Sequence, residues 1–171
     1  MSLVVLIGPS GAGKSTVANI LTTKYGFHIQ KTVTTRPKRG EQDIDHIFVN
    51  EETYHEMAAA KMFFGTIHSF GHDYGLPKFD PADRTVLLLR AATIAELRTR
   101  FPDAIVIEID APTEVLVSRL IVRDSLNRID TESIEQEIKL GRSLATTTYN
   151  SSKLSAEAIA EAIVQDIEKA V

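Results

Sequence analysis

A short apolar run, Leu3–Ile7, passes directly into Gly8-Pro9-Ser10-Gly11-Ala12-Gly13-Lys14-Ser15-Thr16, and Val17, Ile20 and Leu21 follow at core-facing helical spacing. A buried strand, a glycine-rich turn and a helix in that order form a cradle for phosphate. The glycines let backbone amides turn towards phosphate oxygens without side-chain collision, and the helix start adds unpaired amides and its positive dipole end. Gly8, Ser10, Gly11, Ala12, Gly13, Lys14, Ser15 and Thr16 are therefore candidate ligands of ATP. Lys14 is placed to bridge the β- and γ-phosphates, and the Ser15 hydroxyl to meet magnesium.

The rest of the chain supports one α/β domain with a parallel sheet covered by helices. Strands are expected at Phe27–Ile29, Thr85–Leu89, Ala104–Ile109 and Thr147–Asn150. Helices are expected at Ala91–Arg100, Thr113–Val122 and Thr131–Leu144, with a closing helix that carries Ile159, Ile163 and Ile167 on one side. A length of 171 residues suits a single core (1–30 and 81–171). Two segments break the alternation. Residues 31–80 hold a basic loop, a short helix near Glu51–Ala60 and a glycine- and aromatic-rich stretch, read as an inserted acceptor-binding subdomain. Residues 123–132, with Arg123, Asp124, Asn127, Arg128 and Asp130, are read as a lid.

The net charge of −4 gives no electrostatic reason to expect nucleic acid or an anionic membrane as partner. Cysteine is absent, which excludes disulfides and thiolate-ligated metal. No apolar run reaches membrane-spanning length, so a soluble cytoplasmic protein is expected. Oligomeric state leaves no signal.

Thr34-Thr35-Arg36-Pro37-Lys38-Arg39-Gly40-Glu41 sets two arginines three apart in a loop. Guanidinium forks bind phosphate oxygens bidentately, which suits an acceptor that already carries phosphate. Together with the phosphate loop, this stretch resembles the guanylate kinase family, with one residue missing before Gly40. The similarity continues through Asp45-His46-Ile47-Phe48-Val49, Phe63-Phe64 and Gly71-His72-Asp73-Tyr74-Gly75. It runs on through Leu97-Arg98 with Phe101-Pro102-Asp103-Ala104, Arg119-Leu120 with Arg123, and Tyr149-Asn150.

The resemblance implies a P-loop kinase fold and ATP-dependent phosphoryl transfer, with magnesium, to a phosphorylated small acceptor, GMP in the first instance. It implies that Thr32, Arg36, Arg39, His46, Tyr74 and Arg90 face the acceptor. Arg119 and Arg123 would close over the transferring group with Lys14 and Arg36, and Asn150 would lie near adenine.

The sequence departs from the family at the acceptor base. Gly65 stands where the family has a guanine-reading glutamate, and Leu76-Pro77 replace a serine or threonine. Leu88 and Arg90 replace a short acidic motif, and His46 replaces a phosphate-binding tyrosine. No carboxylate near Gly65 in sequence substitutes for the lost one. Arg90 is suited to a second anionic group, so another phosphorylated metabolite, such as a sugar phosphate, stays open as acceptor. A non-catalytic binding module and a nucleotide switch or hydrolase are further alternatives. Intact Lys14 and Ser15 argue against the first, and the arginine loop against the second. Arg128 and Arg142 are further lid candidates, whereas His68 with His72 makes a poor metal pair and Phe63, Phe64 and Phe70 are read as packing.

Overall fold

The computed structural model describes residues 2–170 apart from Gln42 and Asp124, so the Asp124 part of the lid expectation lies outside the described residues. Strand β1 (Leu3–Ile7) is buried along its whole length, as an apolar strand between two layers must be. It pairs in parallel with β7 (Thr85–Leu88) on one side and β8 (Ile105–Asp110) on the other. β2 (His28–Gln30) extends the sheet beyond β7, and β9 (Thr147–Asn150) beyond β8. The order β2-β7-β1-β8-β9 is parallel throughout.

Alternation along β1 divides the core. Val4 and Leu6 pack with Val17, Leu21, Leu116, Leu120, Ile159 and Ile163, which come from α1 (Lys14–Tyr25), α4 (Thr113–Val122) and α6 (Ala156–Lys169). Leu3, Val5 and Ile7 pack with Leu87, Val106 and the α3 (Ile94–Arg100) residues Ile94 and Leu97. α5 (Thr131–Leu144) touches both clusters, through Ile134 and Leu144. Asp130 and Ser155 cap α5 and α6, each side chain accepting an amide of the first turn. The helix expected from Ala91 starts as a 3-10 turn, Ala91–Thr93, because Glu137 takes the Ala91 amide and Thr93 bonds back to the Arg90 carbonyl.

Residues 31–80 contain more order than the sequence suggested. Beside α2 (Glu51–Ala59), they form a second sheet, ordered β4-β3-β6-β5. Its strands are β3 (Thr32–Thr34), β4 (His46–Phe48), β5 (Phe63–Ser69) and β6 (His72–Pro77). Three-residue strands are too short to show alternation. β5 and β6 are joined by Phe70-Gly71, both with positive φ (51° and 78°), as a type I′ turn requires. Among the described residues no helix is long and apolar enough to cross a membrane.

Candidate active site

The phosphate loop leaves the carboxyl end of the central strand, where open parallel sheets place their ligands. Gly8 has φ 147°, and a Cβ on it would collide with the Ile109 carbonyl oxygen of β8. Only glycine lets the loop turn here. α1 begins after Gly13 with no side-chain cap and no acidic residue in its first turn, so its first amides stay open to an anion. Lys14 folds back over the loop, its Nζ donating to the Gly8 (2.5 Å) and Pro9 (3.2 Å) carbonyls. Burial, helped by the nearby Arg90 charge, lowers its pKa to about 8, against the opposing pull of Glu137 and Asp45.

Opposite the loop, β3, β4 and β6 carry the acceptor-side residues. Thr34 Oγ1 donates to the Asp73 carbonyl and accepts the Arg36 amide, fixing where the arginine loop leaves the sheet. Arg36 is buried at 6% exposure and forms a two-pronged pair with Asp43 (2.8 and 3.0 Å) over the Phe48 ring. Burial would raise the Asp43 pKa, but hydrogen bonds from Arg36 and the Arg39 amide outweigh it and hold the group lowered. His46 shares a 2.6 Å hydrogen bond with Thr32 and lies beside Tyr74. Burial lowers its pKa, and the Arg36 and Arg128 charges add to this against Asp45, so it is neutral at pH 7.

Two further guanidinium groups complete the cleft. Arg128, from the 3-10 turn Leu126–Arg128, donates to Ser10 Oγ of the phosphate loop (2.8 Å) and to the Tyr74 hydroxyl (3.4 Å). Arg90 donates to Ser69 Oγ (3.0 Å) and faces Glu137 (3.4 Å). Arg39 is lowered to about 10, by burial first and then by Arg128 and Arg36. Among the described residues the buried Nε groups of Arg36 and Arg128 have no hydrogen-bond partner, whereas that of Arg90 lies against Glu137. Buried donors are normally satisfied. Cations that crowd one another and retain unused donors make a site for anions.

The structure brings Lys14, Ser10, Arg36, Arg39, His46, Tyr74 and Arg90 to this cleft, and with them Arg128, one of the two further lid candidates. Arg123 is exposed, near enough to Arg39 to lower its pKa. Arg119 differs from expectation. It donates to the Gly11 carbonyl (3.0 Å) and to Ser151 Oγ and carbonyl (2.9 and 3.1 Å), tying α4 to the back of the phosphate loop. Asn150 stands next to that tie, its side chain holding Ser152. Arg142 pairs with Asp110 at the carboxyl end of β8.

Gly65 holds a correction. A Cβ there would lie 2.6 Å from the Glu96 carboxylate of α3, so a carboxylate from a segment distant in sequence does stand beside it. Thr32, Gly65, Tyr74, Thr93 and Glu96 help line a cavity of about 40 Å³. Of the three phenylalanines read as packing, Phe63 stacks on Tyr54 and Phe64 joins Phe79 and Phe101. Phe70 instead meets arginines.

Hard oxygen donors suit magnesium near the loop: the Ser15 hydroxyl on the first turn of α1, and Asp45 and Glu137, both within electrostatic reach of Lys14. Asp45 is buried, and its Oδ1 has no hydrogen-bond partner among the described residues. Asp43, Asp45 and His46 also cluster, but Asp43 is committed to Arg36 and the Arg39 amide.

The family profile described as guanylate kinase matches residues 1–169. A guanylate kinase of Zymomonas mobilis is 44% identical over 79 residues, 44% of this chain and 37% of that one, so the match spans little more than a third of that relative. A guanylate kinase of Fusobacterium nucleatum is 30% identical over 159 residues, covering 88% and 83%. A ribose 1,5-bisphosphate phosphokinase of Rhodopseudomonas palustris is 32% identical over 130 residues, covering 71% and 66%. The solved guanylate kinase of Anaplasma phagocytophilum superposes with a TM-score of 0.75 at 22% identity, covering 98% and 85%, and shares the fold.

Proposed function

The chain belongs to the guanylate kinase family, and from that premise we propose that it moves the γ-phosphoryl group of ATP onto a phosphorylated small acceptor, with GMP the first candidate. The observation that carries the reading is the gathering of cations at the loop: Arg128 donates to Ser10 Oγ and to Tyr74, and the Arg90 and Arg128 charges both bear on the buried Lys14 ammonium. A scaffold has no use for such a concentration of like charges, whose mutual repulsion costs stability.

In this reading the loop amides and Lys14 hold the β- and γ-phosphates of ATP. Arg36 and Arg39, with Tyr74 and His46, hold the acceptor phosphate. One acceptor phosphate oxygen attacks the γ-phosphorus, the bond to the bridging oxygen breaks, and ADP leaves with that electron pair. Charge spreads over the equatorial oxygens, where Lys14 and Arg128 stand ready without reorganising. Magnesium, held by Ser15, would offset phosphate charge. Arg123 would join as the lid closes, whereas Arg119 would brace the loop and border the adenine side with Asn150.

Glu96 supports GMP, because a carboxylate beside Gly65 can accept the ring and exocyclic N–H donors of guanine. A second reading is favoured by Arg90. It puts a cation where a second anionic group can bind, its Nη1 donating to Ser69 on the acceptor-side sheet. An acceptor bearing two phosphates on a sugar fits that cation, and the similar phosphokinase is named for such a substrate. Coupled assays with GMP and a panel of sugar phosphates decide between them. The GMP reading expects efficient GMP turnover that Glu96→Gln lowers at least about tenfold. The sugar reading expects GMP to be poor and Arg90→Ala, not Glu96→Gln, to impair the preferred acceptor.

A further inference from the structure

The tip of the β5–β6 hairpin carries a residue that its backbone disfavours. Phe70 has φ 51°, in the left-handed region where asparagine, aspartate or glycine is the usual first residue of a type I′ turn. A bulky side chain kept in such a conformation points to a role for that side chain. Its ring touches two cations from different parts of the chain. The Arg128 guanidinium lies 4.7 Å from the ring centroid and that of Arg90 5.2 Å, both within cation–π range. Arg128 reaches from the ring to Ser10 of the phosphate loop, and Arg90 to Ser69, the residue before Phe70. The Arg128 Nε is buried without a hydrogen-bond partner among the described residues, and the Arg90 Nε lies 3.4 Å from Glu137. The two would otherwise repel each other across the cleft.

We propose that Phe70 is a positioning residue for phosphoryl transfer: its ring holds Arg90 and Arg128 together, aimed at the phosphates, at the expense of a strained turn. The inference rests on the phosphotransferase reading for its kinetics, but not for its binding test. The ring's negative face offsets the repulsion between the guanidinium groups and limits their rotamers, while leaving their N–H donors free. A carboxylate in the same place would consume those donors. That distinguishes Phe70 from an ion-pair partner.

The test compares Phe70→Leu, Phe70→Tyr and Phe70→Asn. Leucine keeps bulk without a π face, tyrosine keeps the face, and asparagine relieves the turn. Two readouts are taken beside the melting temperature: kcat and KM with the preferred acceptor, and binding of inorganic pyrophosphate by calorimetry. The expected result is a loss of about tenfold in kcat/KM and in pyrophosphate affinity for Phe70→Leu and Phe70→Asn. Phe70→Tyr stays within about threefold of wild type. Phe70→Asn melts no lower than wild type despite its lost activity, because the strain is gone. Wild-type pyrophosphate affinity and kinetics in Phe70→Leu would overturn the proposal, as would losses confined to variants whose melting temperature also falls. A wild type that transfers to no acceptor, yet shows the same Phe70-dependent pyrophosphate binding, would fault the phosphotransferase reading and, with it, the catalytic half of this proposal, while supporting the hold of Phe70 on two phosphate-binding arginines.

Discussion

Lys14 sits with its ammonium against two carbonyls and its pKa at about 8, a state that a triphosphate reverses. Anionic oxygens favour the charged form, so ATP binding should draw in a proton where the free protein is partly deprotonated. Calorimetry at pH 8.5 in buffers of differing ionisation enthalpy should show uptake of up to about three quarters of a proton, and affinity should weaken as pH rises through 8. Lys14→Ala should abolish the uptake. Arg36 is coupled differently, because Asp43 takes two of its donors. Arg36→Ala should raise the acceptor KM about 10- to 100-fold and cost about 3 kcal/mol of stability by leaving Asp43 unpaired. The Asp43 pKa is lowered in the folded state, so the stability from this pair is present at neutral pH and lost as pH falls through the folded value. The urea midpoint of Arg36→Ala should therefore converge on wild type in acid; a gap that stays constant with pH would contradict the pairing.

At the scale of elements, the contact between β8 and α5 holds an unusual acid. Glu108 is fully buried, and a Cβ on Gly141 of α5 would collide with its carboxyl. Burial, then the neighbouring Asp110, raises its pKa to about 7 from an ordinary 4.5. The folded state therefore binds its proton more tightly than the unfolded chain does. This contribution is fully present below pH 4.5 and is lost as pH rises through about 7, amounting to roughly 3 kcal/mol at most. Glu108→Gln should melt higher than wild type at pH 8 and close to it at pH 5, whereas Gly141→Ala should melt lower at both. Elements were also where the sequence was least informative. The strand–loop–helix at Leu3–Tyr25 carries a local pattern, so it could be read directly. β3 and β4 are three residues each, and their pairing with β6 is long-range, so nothing in residues 31–80 announced a sheet. The hairpin turn was hidden for another reason: Phe70 stands where a turn residue is expected.

For the whole molecule, a parallel sheet with two covered faces was legible because buried strands and amphipathic helices alternate along the chain, whereas the order β2-β7-β1-β8-β9 comes from long-range pairing that alternation does not specify. The cleft was legible in part. Motif spacing indicates Lys14, Arg36 and Arg39, and Arg128 stands among the lid candidates, but Glu96 and Phe70 reach the cleft through tertiary packing from segments without a motif. The sheet sets the donor side through β1, and the second sheet sets the acceptor side through β3 and β6, so two rigid platforms present cations to one another. The direct check is transfer of γ-labelled phosphate from ATP, with magnesium, to a panel of monophosphates, by wild type and Lys14→Ala. The account predicts label on a phosphorylated acceptor, ADP formed only when that acceptor is present, and a loss of on the order of 10³-fold in the variant. Label released as inorganic phosphate at the same rate without any acceptor, or equal transfer by Lys14→Ala, would contradict it.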